Sequence, residues 1–134
     1  MRVGPFRKAA KIPYPQPYAF EKATSADIDA ATTGEEKDQA TKNYLFNCAQ
    51  RCHGNFLENF PLFMPALLIA GLRWPVASSV MGLIWGVSRV VYSVGYTNIS
   101  KKNGSGRLFG VPYAFAQMGL IGMVFKMGYD VAMA

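Results

Sequence analysis

The stretch that decides the fold is residues 46–72, FNCAQRCHGNFLENFPLFMPALLIAGL. Its second half is oily enough for the interior of a bilayer. Its first half carries Arg51, His53, Asn55 and Glu58. Arg51, Asn55 and Glu58 stand at i, i+4 and i+7, which puts them on one face of a helix. Gln50 and His53 sit to either side of that face. Pro61 and Pro65 would bend such a helix, and membrane helices tolerate this better than soluble ones.

Working outward, residues 43–72 read as one long helix, residues 76–97 as a second apolar span and residues 107–131 as a third. Each meets or approaches the ~20 apolar residues needed to cross a bilayer. Gly, Ala and Ser recur within them, as where membrane helices pack closely. RWP at 73–75 is a tight break, and NISKKNGSG at 98–106 is a polar loop. The fold class that follows is all-α, an integral membrane helix bundle. Residues 43–134 form its membrane domain, and residues 1–42 a basic, proline-rich arm and a polar loop. Pro13, Pro15 and Pro17 disfavour helix and predict an extended arm over residues 1–20. Residues 21–42, small and charged, predict a solvent loop with short helical turns.

The 134 residues carry a net charge of +6, with 51% hydrophobic and 16% charged. The acids lie almost all in the first third: after Tyr44 only Glu58 and Asp130 remain. Nucleic-acid binders cluster their cations on a polar face. Here Lys and Arg flank oily runs, the membrane pattern, which argues against a nucleic-acid partner. The basic first residues have no apolar signal-peptide core behind them. Cys48 and Cys52, at i, i+4, read as free buried thiols. A disulfide there would need a distorted helix, and a metal would need more ligands than the nearby His53.

The arm and the 98–107 loop hold most of the cations. Three spans put both on one side, which should be cytosolic. Asn98-Ile-Ser100 and Asn103-Gly-Ser105 match glycosylation acceptor patterns but would then stay unmodified.

Ionisable groups at membrane depth are costly and face an interior or a wet cavity. Glu58 could pair with Arg51 or Arg89 as a plain structural bridge. It cannot satisfy Arg51, Arg89, Arg107, Arg7 and Lys8 together, so the surplus asks for an anionic ligand. Arginines hold carboxylates in fork geometry, a glutamate holds an ammonium, and Asn and Tyr add neutral hydrogen bonds. A small peptide with two carboxylates and one amine fits this inventory. If it carries a thiol, a guanidinium nearby stabilises the thiolate. Arg89, Tyr92 and Tyr96, at i, i+3 and i+7, form a second polar stripe.

These two motifs resemble the membrane-associated proteins in eicosanoid and glutathione metabolism, the MAPEG superfamily, most of all its type 3 microsomal glutathione S-transferases. The pattern F-N-C-x-Q-R-x-H-x-N-x-x-E-x-x-P is met by Phe46, Asn47, Cys48, Gln50, Arg51, His53, Asn55, Glu58 and Pro61. RVVYSVGY supplies the second motif through Arg89, Tyr92, Gly95 and Tyr96. The match covers residues 1–20 loosely and 44–134 well.

The resemblance implies a four-helix subunit and a homotrimer, with glutathione as co-substrate between neighbouring subunits near the cytosolic face, and no metal. It implies glutathione-binding roles for Arg51, His53, Asn55, Glu58, Tyr92, Tyr96, Arg7 and Lys8, and catalytic roles for Arg107 and Tyr96. Asn59 departs from a relative that has a glutathione-contacting tyrosine there. VGPFRKAAKIPYP resembles the segment after the family's first helix, so three spans are expected here instead of four. The implied function is a glutathione transferase or peroxidase. It would conjugate lipophilic electrophiles, in the manner of a leukotriene C4 synthase, or reduce lipid hydroperoxides. The alternatives are a non-catalytic lipid-presenting relative and an inactive shortened form. The endoplasmic reticulum membrane is the expected site, with the mitochondrial outer membrane second.

Overall fold

The computed structural model describes residues 3–100 and 102–134, with the side chains of all of these but 102 and 103. Arg2, Lys101 and the side chain of Asn103, from the basic segments and one acceptor pattern, lie outside the described residues. Among the described residues five α-helices follow in order: α1 Val3–Ala10, α2 Ser25–Ala30, α3 Gly34–Arg73, α4 Pro75–Tyr96 and α5 Pro112–Ala132. A 3-10 segment, Lys102–Gly110, joins α4 to α5. No strand occurs among the described residues.

Among the described residues three stretches are long and apolar enough to cross a membrane, within Gly34–Arg73, Pro75–Tyr96 and Gly104–Ala132. Their outer faces expose Leu72, Val76, Leu83, Phe115 and Phe125. A soluble monomer rarely leaves so much apolar surface open, whereas lipid tails cover it at no cost. The protein is an all-α membrane helix bundle.

Helix α3 has 40 residues. At ~1.5 Å per residue that is about 60 Å, twice the ~30 Å hydrocarbon core of a bilayer. It starts at Gly34, where Thr33 caps it by accepting from the Glu36 amide. Residues 34–42, expected as loop, are therefore helical. A Thr cap with Glu35 and Glu36 in the first turn favours a helix start, because it answers the unpaired amides and the positive end of the dipole. The arm also departs from expectation. Residues 3–10 are helical, and extended chain begins only after Lys11, which adopts a positive φ of 57°. The prolines that disfavour helix all lie beyond that point.

Trp85 is the hub of the bundle. Its ring stacks on Phe63 of α3 with centroids 3.8 Å apart and planes within 7°. Its Nε1 donates to Oε1 of Gln117 on α5 at 3.0 Å, both residues being buried. An indole N–H in an apolar interior must find an acceptor, and Gln117 supplies it. Ala66, Ala70, Ala116 and Leu120 fill the space around the ring. At one end Asp130 pairs with Arg73 at 3.3 Å and with Lys126, tying the α3–α4 turn to the end of α5. At the other end residues 23–25, at the start of α2, and the 3-10 segment meet α3 and α4 around one cavity.

Candidate functional site

The cavity, about 230 Å³, lies where α3, α4, the 3-10 segment and residues 23–25 meet. It is lined by Ala23, Thr24, Ser25, Tyr44, Asn47, Cys48, Arg51, Tyr96 and Arg107. Two of these are arginines and none is an acid.

Helix α3 supplies Tyr44, Cys48 and Arg51 at i, i+4 and i+7. This is the Arg51–Asn55–Glu58 stripe continued two turns toward the N-terminus. Helix α4 supplies Tyr96 near its end, buried at 7% exposure. Arg107 Nη1 donates to the Tyr96 hydroxyl at 3.3 Å, and its guanidinium lies 5.2 Å from that ring's centroid. The hydroxyl of Tyr44 is buried beside the Cys48 thiol and the Gly104 backbone amide, without a well-formed hydrogen bond to either.

Glycines hold Arg107 where it is. A Cβ on Gly95 would stand 2.2 Å from the Gly106 carbonyl oxygen, and one on Gly106 2.3 Å from that of Gly95. A Cβ on Gly110 would meet the Tyr92 Cβ at 2.4 Å. Only glycine lets the two backbones approach so closely. Gly104, at a φ of +64°, turns the chain over the Tyr96 ring.

Three residues expected from sequence are thus brought together: Arg51, Tyr96 and Arg107. The others lie elsewhere. Asn55 accepts from Arg89 Nη1 at 2.8 Å. Arg89 is 5% exposed, and Phe56, Trp85, Tyr92 and Tyr113 surround its guanidinium with centroids 4.5–5.7 Å away. Its Nε and Nη2 have no partner. Glu58 is exposed one turn on and, among the described residues, pairs with neither Arg51 nor Arg89. Tyr92 stacks on Tyr96 at 5.7 Å, behind the cavity wall. His53 is half-buried, its Nδ1 without a partner, and does not line the cavity.

Arg7 is a knot in the arm. Its Nη1 donates to the carbonyls of Pro13 and Gln16 at 3.2 and 2.8 Å, and its guanidinium lies between the Tyr14 and Phe46 rings. Lys8 is exposed next to it and does not line the cavity. Asn59 Nδ2 donates back to the Asn55 carbonyl at 2.7 Å.

The sequence does not single out Tyr44 or the 23–25 segment, Asn47 enters only through the family pattern, and Cys48 reads as a buried thiol. For Tyr44 and Cys48 the signal was present, since the polar stripe on α3 extends backward at helical spacing. For residues 23–25 no periodicity could reveal a partner on another element.

Among the described residues no cluster of three or more His, Cys, Asp or Glu could hold a metal. No solved structure matches the chain. The model of the MAPEG family matches residues 1–129. With nearly the whole chain covered, and with apolar helices enclosing a cationic cavity at one end, this protein belongs to the MAPEG family.

Proposed function

We propose that the protein is a membrane-bound glutathione transferase or peroxidase of the type 3 microsomal kind. The observation that carries this reading is a cavity with two arginines and no acid in its lining. Such a site favours a ligand with carboxylates and an acidic thiol. Family membership supports glutathione as that ligand.

Arg51 holds a glutathione carboxylate. Arg107, aimed by the Tyr96 hydroxyl, faces the thiol. Bringing a thiol from a pKa of ~8.5 to ~7 requires about 2 kcal/mol. A guanidinium ~4 Å away supplies up to about 4 kcal/mol at an effective dielectric of ~20. The thiolate then attacks a lipophilic electrophile from the bilayer, or reduces a lipid hydroperoxide to the alcohol as two glutathiones become the disulfide. The cavity is smaller than the ~300 Å³ at which ligand pockets begin. Arg51 and Glu58 are also exposed to the outside of the single chain. Both features suit a site completed by a neighbouring copy in a homotrimer, with Asn55, Glu58, Tyr92 and His53 reaching glutathione across that boundary. The endoplasmic reticulum membrane suits such chemistry.

The test is glutathione binding, conjugation and hydroperoxide reduction by purified protein, with and without Arg107→Ala. Binding and turnover that collapse in the variant support the reading. A wild-type protein that binds no glutathione overturns it, and one that binds lipid alone belongs to a non-catalytic relative.

A further inference from the structure

The segment between α1 and α2 has no regular structure, so its backbone groups need partners from elsewhere. Helix α3 provides them with amide side chains. Gln50 Nε2 donates to the Pro17 carbonyl at 2.7 Å. Asn47 grips Ala19 at two points, Nδ2 donating to its carbonyl and Oδ1 accepting from its amide, both at 2.8 Å. Asn43 Nδ2 donates to the Glu21 carbonyl at 2.9 Å. Gln39 Nε2 reaches the Ala10 carbonyl at 3.2 Å and braces Asn43 Oδ1 at 2.9 Å.

The positions 39, 43, 47 and 50 share one face of α3. From Pro17 to Glu21 the partner number falls from 50 to 43, so the segment runs antiparallel to the helix. Phe46, fully buried, packs with Ala10 and Ala19 on this same face. The Arg7 knot fixes the segment's turn at Pro13–Gln16. The strapped segment ends at residues 23–25, which are a wall of the cationic cavity. Asn43 and Gln50 do not line that cavity.

We propose that residues 17–25 form a strap that closes the ligand cavity, and that Gln50 and Asn43 are positioning residues for glutathione through it. This rests on the glutathione reading above. The strap supplies Ala23, Thr24 and Ser25 to the lining and limits water around the arginines. Each amide contact holds backbone that would otherwise return to solvent. Losing one shifts the strap toward open forms and weakens ligand binding without altering the arginines.

The experiment uses the full chain in lipid nanodiscs, with Gln50→Ala and Asn43→Ala, glutathione as the probe, and trypsin cleavage after the exposed Lys22. In the wild type, saturating glutathione slows that cleavage several-fold. Each variant is cut faster without ligand and shows a rise of about fivefold in the KM for glutathione, the value of one hydrogen bond. Turnover at saturating glutathione and the KM for the electrophile stay unchanged, which a general loss of structure would not allow. Cleavage at Lys22 that ignores glutathione overturns the proposal, as does a loosened strap with an unchanged glutathione KM. If the variants do not yield intact protein, the wild-type protection at Lys22 decides alone. A wild type that binds no glutathione sinks the functional reading itself, an outcome distinct from glutathione binding that does not sense the strap.

Discussion

Gly95 and Gly106 touch backbone to backbone, so that a Cβ added to either would lie within 2.3 Å of the other's carbonyl oxygen. This contact ends α4, seats the 3-10 segment on it and aims Arg107 at Tyr96. Gly95→Ala or Gly106→Ala should therefore lower stability by ~1–3 kcal/mol, the usual cost of overpacking, and reduce glutathione binding at the same time. Gly122→Ala, where nothing lies within 4 Å, should leave both unchanged. Thermal unfolding in detergent and glutathione titration on the three variants check this.

Arg107→Ala should reduce kcat/KM with glutathione by about 10²- to 10³-fold, as expected when a charge that stabilises the reacting thiolate is removed. Tyr96→Phe keeps the ring and loses one hydrogen bond to Arg107, and should cost about threefold to tenfold. The thiolate absorbance of bound glutathione, followed against pH, should show its pKa rising in both variants and more in Arg107→Ala.

Among the described residues Asn55 is the one side chain that accepts from Arg89. Asn55→Leu should destabilise the bundle by about 3 kcal/mol, because it strands a buried guanidinium. Arg89→Met in the same background should recover much of the loss. A double-mutant cycle by thermal unfolding measures the coupling, and additive effects would show that Asn55 does not stabilise Arg89.

Gln117→Leu leaves the Trp85 indole N–H unanswered inside the bundle, at an expected cost of ~1–3 kcal/mol. Phe63→Ala removes the ring stacked on Trp85 and should cost about 3–5 kcal/mol. Trp85 fluorescence during unfolding reports both.

Outside the membrane spans, the Thr24 side chain holds the Asp27 carboxyl below its ordinary pKa through a hydrogen bond in the α2 cap. A carboxyl lowered on folding stabilises the folded form above its unfolded pKa. That contribution is lost as pH falls through the lower, folded value. The protection of the α2 amides, taken as exchange relative to that of an unstructured chain at the same pH, should therefore fall as the pH drops below ~4, and Asp27→Asn should remove this pH dependence.

The membrane character, three apolar spans and the polar stripe on α3 were legible in the sequence. The first rests on composition and the others on period, both of which are local properties. The helix at residues 3–10 is not legible from Pro13, Pro15 and Pro17, which say nothing about the residues before them. The start of α3 is not legible either, because the small, charged residues 34–42 carry no apolar signal, whereas the Thr33 cap and the arm packed on them favour helix.

The site divided along the same line. The sequence by itself determined which cations enter the bundle and that Glu58 is too little to satisfy them. Only the tertiary structure decided where each cation goes. Arg7 is used inside the arm, Arg89 is caged by four rings, and among the described residues Arg51 and Arg107 are the cations that reach the cavity. The physical reason is that a charge's cost at membrane depth is known from its type, while its partner depends on which backbones can approach. Here that was set by Gly95 against Gly106, and by four amides on α3 that bind an otherwise unpaired segment.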